Sequence, residues 1–405
     1  MLDIKKQFIV FTFPRESNDT NYSSYVPLFF YFIIVLIMQN ITHLAYLPVK
    51  GFEPVNTKLI NKYNQQFFPT IASKINFCLE SIPNEVQFEI RCNIAYRTQY
   101  MFDYLGRTNQ SPEILHEYMK TVLLECDSYR LLNVSESFND KTIGANLETD
   151  IYKITRESFN YMWPKTTRGN DYKNSLKMVK PRVDQFVSLI DRTFKPLSIL
   201  DSGCGPGRYL DCLSSIYPDA TFHGLDQGKD ILKSNRDRFD PSRFQFHSGH
   251  VNKLPFDDNA MDLVLSVGVL HHVKDPIEQT IKEHLRVVKP GGYFFVFIVG
   301  GDGLEMSMWS FLREIMRPVP KEIAHQKFAD YFVAERVQGL LDHCYGEYFL
   351  TNRDMFESLL AKYGEFQKVP GISGADVTKE SMSWDSFFDE RYGEGHLRYL
   401  IKKNG

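Results

Sequence analysis

The chain has 405 residues, of which 43% are apolar and 24% charged, and a formal net charge of −3. At ~100–200 residues per domain this supports more than one packed unit, and it excludes a disordered or collagen-like chain. The near-balanced charge offers no global basic excess for a nucleic-acid partner.

Residues 1–49 are set apart by "VPLFFYFIIVLIM", Val26 to Met38, within a stretch free of Asp, Glu, Lys and Arg from Thr20 to Val49. A membrane helix needs about 20 apolar residues, and Gln39, Asn40, Thr42 and His43 interrupt this one. Two readings stand. One is a membrane anchor or signal through residues 26–47. The other is a buried element, or an upstream extension before a start at Met38.

Residues 50–150 read as a helical accessory domain. In "SPEILHEYMKTVLL", Ser111 suits an N-cap and Pro112 the first helical position. Ile114, Leu115, Tyr118 and Val122 then fall on one face. Tyr96, Tyr100 and Tyr104 recur every four residues, which predicts a buried aromatic stripe. The polar stretch Asn139–Asp150 is the expected linker to a second domain at 151–405.

From residue 197 strands and helices alternate, as in a parallel α/β sheet. Strands are expected at Leu197–Asp201, Thr221–Asp226, Phe244–Ser248, Asp262–Ser266 and Tyr293–Val299. Helices carry Leu210, Leu213 and Ile216, and then Ile277, Ile281, Leu285 and Val288. "KPGG", Lys289–Gly292, is expected to turn the chain into the fifth strand.

The first strand runs into "ILDSGCGPGRYL", Ile199–Leu210. Glycines between a strand and a helix let bare backbone approach a ligand at the carboxyl edge of the sheet. Asp226 closes the second strand, near the ~20-residue offset at which a carboxylate bonds a ribose hydroxyl pair. The spacing is G-x-G-x-G, and Arg208 stands where a dinucleotide loop carries its last glycine. Asp201 places negative charge where a pyrophosphate would be repelled and a cation would be favoured.

On these residues, with "FHGLD", "LPFDDNAMDLVLSVGVLHHVKDP" and "LRVVKPGGYFFV", the chain resembles the class I S-adenosylmethionine-dependent methyltransferases, type 11 group, over about Pro196–Val299. "SFNYMWPKT", Ser158–Thr166, is similar to an aromatic segment that precedes the sheet in some members. The resemblance implies a Rossmann-like α/β fold of seven strands, the seventh antiparallel beside the fifth, to which Leu397–Lys403 is assigned. It implies S-adenosyl-L-methionine as cofactor and a site formed by Asp201, Gly203, Cys204, Gly205, Gly207, Asp226, Gln227, His250, Val251 and Val267. His250 departs from the family pattern, which has an acidic residue there for the adenine amino group. His271 and His272, in "VLHHV", are placed where a methyl acceptor would lie, as general base or positioning groups. The acceptor is expected to be a small molecule and not a nucleic acid.

Residues 300–363 are read as a lid whose Met306, Met308, Trp309, Phe311 and Tyr331 suit an apolar or aromatic acceptor. Six scattered cysteines with no C-x-x-C pair fit neither a disulfide framework nor a zinc site and suggest a reducing, cytoplasmic compartment. A nicotinamide-dependent oxidoreductase and a non-catalytic binding protein remain as alternatives. Tyr161 and Lys165 have a reductase spacing but precede the first strand. The oligomeric state is left open.

Overall fold

The computed structural model describes residues 57–108, 113–133, 169–329, 334–369 and 396–404. The apolar run at 26–38, Met38, Ser111, Pro112, the linker at 139–150, the segment 158–166 and Tyr331 all lie outside these residues. Among the described residues, no helix is long and apolar enough to cross a membrane.

Seven strands form one sheet in the order β3-β2-β1-β4-β5-β7-β6. They are β1 (Ser198–Ser202), β2 (Thr221–Asp226), β3 (Phe244–Ser248), β4 (Met261–Val267), β5 (Val288–Val299), β6 (Gly364–Lys368) and β7 (His396–Lys403). The first five run parallel, and β7 runs antiparallel between β5 and β6. Chain order reverses at β1, with β2 on one side and β4 on the other. The crevice at their carboxyl ends is therefore the place for a ligand.

The central strands are apolar on both faces, as a doubly covered parallel sheet requires. Ile199, Leu263 and Phe295 face one core, which is covered by α4 (Gly169–Val187), α5 (Arg208–Ile216) and α6 (Lys229–Arg238). Leu200, Val264 and Phe294 face the other, covered by α7 (Ile277–Val287) and α11 (Arg353–Leu360). Between β5 and α11 come α8 (Leu304–Met316), α9 (Lys321–Ala329) and α10 (Ala334–Tyr345).

Two expectations at the fifth strand change. The "KPGG" segment is not a turn ahead of β5 but lies within it, at a register shift against β4 between Met261 and Leu263. Gly291 takes φ +74°, and a Cβ on Gly292 would stand 2.6 Å from the Asp262 carbonyl oxygen. Lys289 pairs with Asp262 at 2.8 Å, and the same carboxylate accepts the Ser198 amide at 2.9 Å. One ion pair thus ties β4 to β5 and the start of β1. Val288, assigned from periodicity to the helix, is the first residue of β5.

The segment ahead of the sheet is helical as expected: α1 (Thr57–Leu79), α2 (Asn84–Thr108) and α3 (Glu113–Asn133). Leu115, Tyr118 and Val122 are buried, with Ile114 partly so. The tyrosine stripe is not core. Tyr100 is 63% exposed and merely stacks on Tyr96, while the Tyr104 side chain lies outside the described residues.

The apolar lid residues are also explained by these helices. Met306, Met308, Trp309 and Phe311 of α8 are buried, and Phe311 meets Phe68 of α1 ring to ring at 6.0 Å. They pack as core, so they are not evidence for an aromatic acceptor. Arg91 of α2, 1% exposed, reaches Asn76 Oδ1 at 2.6 Å, Gln87 Oε1 at 2.8 Å and the Ile315 carbonyl of α8 at 2.8 Å.

Candidate active site

The loop after β1 has Gly203, Gly205 and Gly207 at φ +86°, +48° and +76°, the left-handed region that disfavours a side chain. Space adds a second constraint. A Cβ at Gly203 would come within 2.3 Å of Val269, and one at Gly207 within 2.9 Å of Phe239.

Hydrogen bonds pin the loop from beneath. The amides of Gly203 and Cys204 donate to the Leu225 carbonyl at 2.8 and 2.9 Å. The Gly205 amide donates to Asp226 Oδ2 at 2.9 Å, and the Gly228 amide to Asp226 Oδ1 at 2.8 Å. The Cys204 side chain is buried in the core, and burial pushes its thiol well above the ordinary range. It fills space; it is not a nucleophile at neutral pH.

Asp201 is 2% exposed. Burial, and then the neighbouring Asp226, push its carboxyl up to about 7. Burial also raises Asp226, opposed by the amides of Gly228, Gly205 and Gln227. Two carboxylates in a poorly solvated crevice favour a cationic ligand and oppose an anionic one.

The remaining residues named from sequence lie along the same edge. Gln227 follows β2, His250 and Val251 follow β3, and Val267 ends β4. Val251 is buried, while Gln227, His250 and Val267 are partly exposed. The His250 ring bonds Asn252, whose amide reaches Asp275 on the chain segment after β4. His250 is thereby linked to a carboxylate without supplying one itself.

The two histidines after β4 separate into different roles. His271 is buried, and its Nδ1 accepts the Val299 amide at 3.1 Å. Its carbonyl accepts the Phe349 amide at 2.7 Å. Burial, first of several causes, holds its ring well below the ordinary imidazole range. His271 is a neutral brace between the β4 loop, the end of β5 and the segment after α10. In His272, Nδ1 lies 2.8 Å from the Glu347 carbonyl. Only a donor satisfies that oxygen, so Nδ1 carries the proton in the neutral ring and Nε2 carries the lone pair.

Several residues at this edge gave no motif. Tyr348 lies parallel to His271, with centroids 5.3 Å apart, and 4.6 Å from His272. Its hydroxyl donates to Asp342 at 3.1 Å, and the Arg313 guanidinium sits 4.7 Å from its ring centroid. Beneath the loop, His284 donates from Nδ1 to the Thr280 carbonyl at 2.7 Å and accepts the Ser202 hydroxyl at Nε2, 3.0 Å away. His284 and Asn235 share one available signal. Each is a polar residue on the apolar face of its helix, three residues after Ile281 and Leu232. Tyr348 had none, because beside the nearby Asp342 its partners come from two distant segments, at His271–His272 and Arg313.

The sheet order and the inserted antiparallel β7 match the Rossmann-like methyltransferase fold. Residues 200–296 match the family model described as a methyltransferase domain, and this segment is similar to the type 11 methyltransferases.

The chain is 33% identical over 104 residues to an uncharacterized methyltransferase of Schizosaccharomyces pombe, covering 24% of this chain and 37% of the relative. It is 34% identical over 96 residues to a fatty-acid O-methyltransferase of Mycolicibacterium smegmatis, covering 24% and 35%. It is 31% identical over 112 residues to a tRNA (carboxymethyluridine(34)-5-O)-methyltransferase of Arabidopsis thaliana, covering 27% and 26%. The matches thus span well under half of these relatives. Among solved structures, a putative S-adenosyl-L-methionine-dependent methyltransferase from Methanococcus maripaludis aligns with TM-score 0.37 at 17% identity, over 65% of this chain and 98% of that one.

The residues present fit the cofactor of this family. Asp226 ends β2 beside the glycine loop, where its carboxylate could accept from a ribose. Asp201, held near half-ionisation at neutral pH by burial, is suited to a positively charged ligand.

Proposed function

We propose that this chain transfers a methyl group from S-adenosyl-L-methionine to a small-molecule acceptor by in-line displacement. The observation that carries this reading is the pair Asp201 and Asp226 around a loop of three left-handed glycines. Asp226 would accept hydrogen bonds from the ribose hydroxyls, and Asp201 would face the cationic part of the cofactor. Gln227 and the backbone at His250 and Val251 would line the nucleoside, and Val267 would close the side toward the acceptor. When bound, the cofactor supplies an activated methyl group on a sulfonium.

The work left to the protein is alignment and exclusion of water. Tyr348 covers both histidines on the acceptor side, and its hydroxyl is held by Asp342. His272, in the tautomer fixed by the Glu347 carbonyl, would take the proton from a hydroxyl acceptor. An amine acceptor attacks with its own lone pair and would need no base.

The net charge of −3 and the ring-lined acceptor side favour a small molecule over a nucleic acid. All six cysteines are free, which supports the reducing, cytoplasmic compartment. The decisive experiment is calorimetry of the purified chain with S-adenosylmethionine and with NAD. It is followed by measuring S-adenosylhomocysteine release with hydroxyl, amine and carboxylate acceptors and with bulk tRNA. Tighter binding of NAD would overturn the cofactor reading, and release with tRNA alone would overturn the small-molecule reading.

A further inference from the structure

Both backbone groups of Gly205 are held by side chains. Its amide donates to Asp226 Oδ2 at 2.9 Å. Its carbonyl oxygen accepts from Asn235 Nδ2 at 2.8 Å. Asn235 lies on α6, fully buried, and its Nδ2 also approaches Cys204 Sγ at 4.0 Å. Its Oδ1 is buried without a hydrogen-bond partner.

An unsatisfied buried carbonyl is destabilising, and an apolar side chain of the same shape would avoid it. The asparagine is therefore explained by its donor, and the donor has one oxygen to serve. The Gly205 N–H and C=O belong to successive peptides that meet at its Cα, where φ is +48°, so Asn235 holds the Gly205–Pro206 carbonyl toward α6 on one side of that Cα while the N–H on the other side bonds Asp226. The neighbouring peptide is held by the same helix: Arg238 Nη1 donates to the Pro206 carbonyl at 3.0 Å and stacks over Tyr172 at 4.0 Å.

We infer that Asn235 is a positioning residue for cofactor binding, acting through the backbone of Gly205 on the carboxylate of Asp226. This rests on the cofactor reading given above. Asn235 touches no reacting atom. Its amide fixes the Gly205–Pro206 carbonyl and with it the backbone of Gly205, whose own N–H fixes the direction of the ribose-binding carboxylate.

The test uses the full chain and S-adenosylhomocysteine as the probe, by calorimetry, beside thermal unfolding and amide hydrogen exchange. Asn235→Leu removes the donor and the orphan acceptor together. The expected result is roughly tenfold weaker binding, the usual size of one hydrogen bond, with little change in Tm and faster exchange confined to residues 203–207. Asn235→Asp keeps the shape and can donate only when protonated. Its affinity relative to wild type at the same pH should recover as pH falls. Unchanged affinity in Asn235→Leu would overturn the proposal. So would a loss that merely tracks a lowered Tm, with exchange raised throughout α6. If the wild-type chain itself does not bind the probe, the cofactor reading fails, and that result is distinct from either variant outcome.

Discussion

Asp226 and Gly205, twenty-one residues apart, are joined by a 2.9 Å hydrogen bond from the loop amide to the carboxylate at the end of β2. The bond makes the loop and the proposed ribose-binding group one unit, so removing the carboxylate disturbs both. Asp226→Ala should weaken S-adenosylmethionine binding by ~1.5–3 kcal/mol, roughly 10–150-fold, the cost of losing hydrogen bonds to a charged group. Calorimetry at constant pH measures it, and unchanged affinity in a folded variant would remove Asp226 from the site.

Cofactor affinity should depend on pH through Asp201. The folded protein holds this carboxyl at about 7, against an ordinary value of 3.8. Between those values the folded state binds more protons than the unfolded one. The cofactor-free protein therefore loses stability as pH rises from about 4 to about 7. A cationic ligand favours the ionised form. Affinity should climb with pH by up to ~10-fold per unit below 7 and level off above it. Binding at pH 6 should release a proton, seen as a dependence of the binding enthalpy on buffer ionisation. Asp201→Asn should flatten the profile.

His271 and His272 should respond differently to alanine. His271→Ala leaves the buried Val299 amide without its acceptor, so stability should fall by ~1–3 kcal/mol in urea unfolding. His272→Ala leaves the Glu347 carbonyl without its donor at a buried site, so stability should fall here too, and turnover is compared per folded protein. With a hydroxyl acceptor, turnover should drop by ~10²–10⁴-fold. With an amine acceptor, the loss should be small. Rate against pH for both variants separates these outcomes.

The helices before the sheet should contribute measurably to its stability. Arg91 is buried, its guanidinium lowered to about 10 by that burial, and it bonds the Ile315 carbonyl at the end of α8. Arg91→Met should cost ~1.5–3 kcal/mol, because Asn76, Gln87 and Ile315 each lose a charged donor. A change below ~0.5 kcal/mol would mean that this contact is incidental.

The sequence by itself determined the sheet and its ligand edge, because both rest on local signals. Short segments of five to seven residues alternating with helical patterns marked β1 to β4, and glycines before a helix marked the loop. Such features need only neighbours along the chain, and they also located Asp201 and Asp226. Tertiary structure decided what depends on distant partners. "KPGG" resembles a turn locally, yet Val288 before it and Tyr293 after it both pair with β4, so it lies as an irregularity within β5. Met306 and Phe311 resemble a substrate pocket, yet α1 covers their helix. His271 and His272 are adjacent and chemically identical. One became a brace and the other a base candidate only because the Val299 amide meets the first ring and the Glu347 carbonyl the second. A side chain's protonation state follows from the group that faces it, and that group is brought there by the fold.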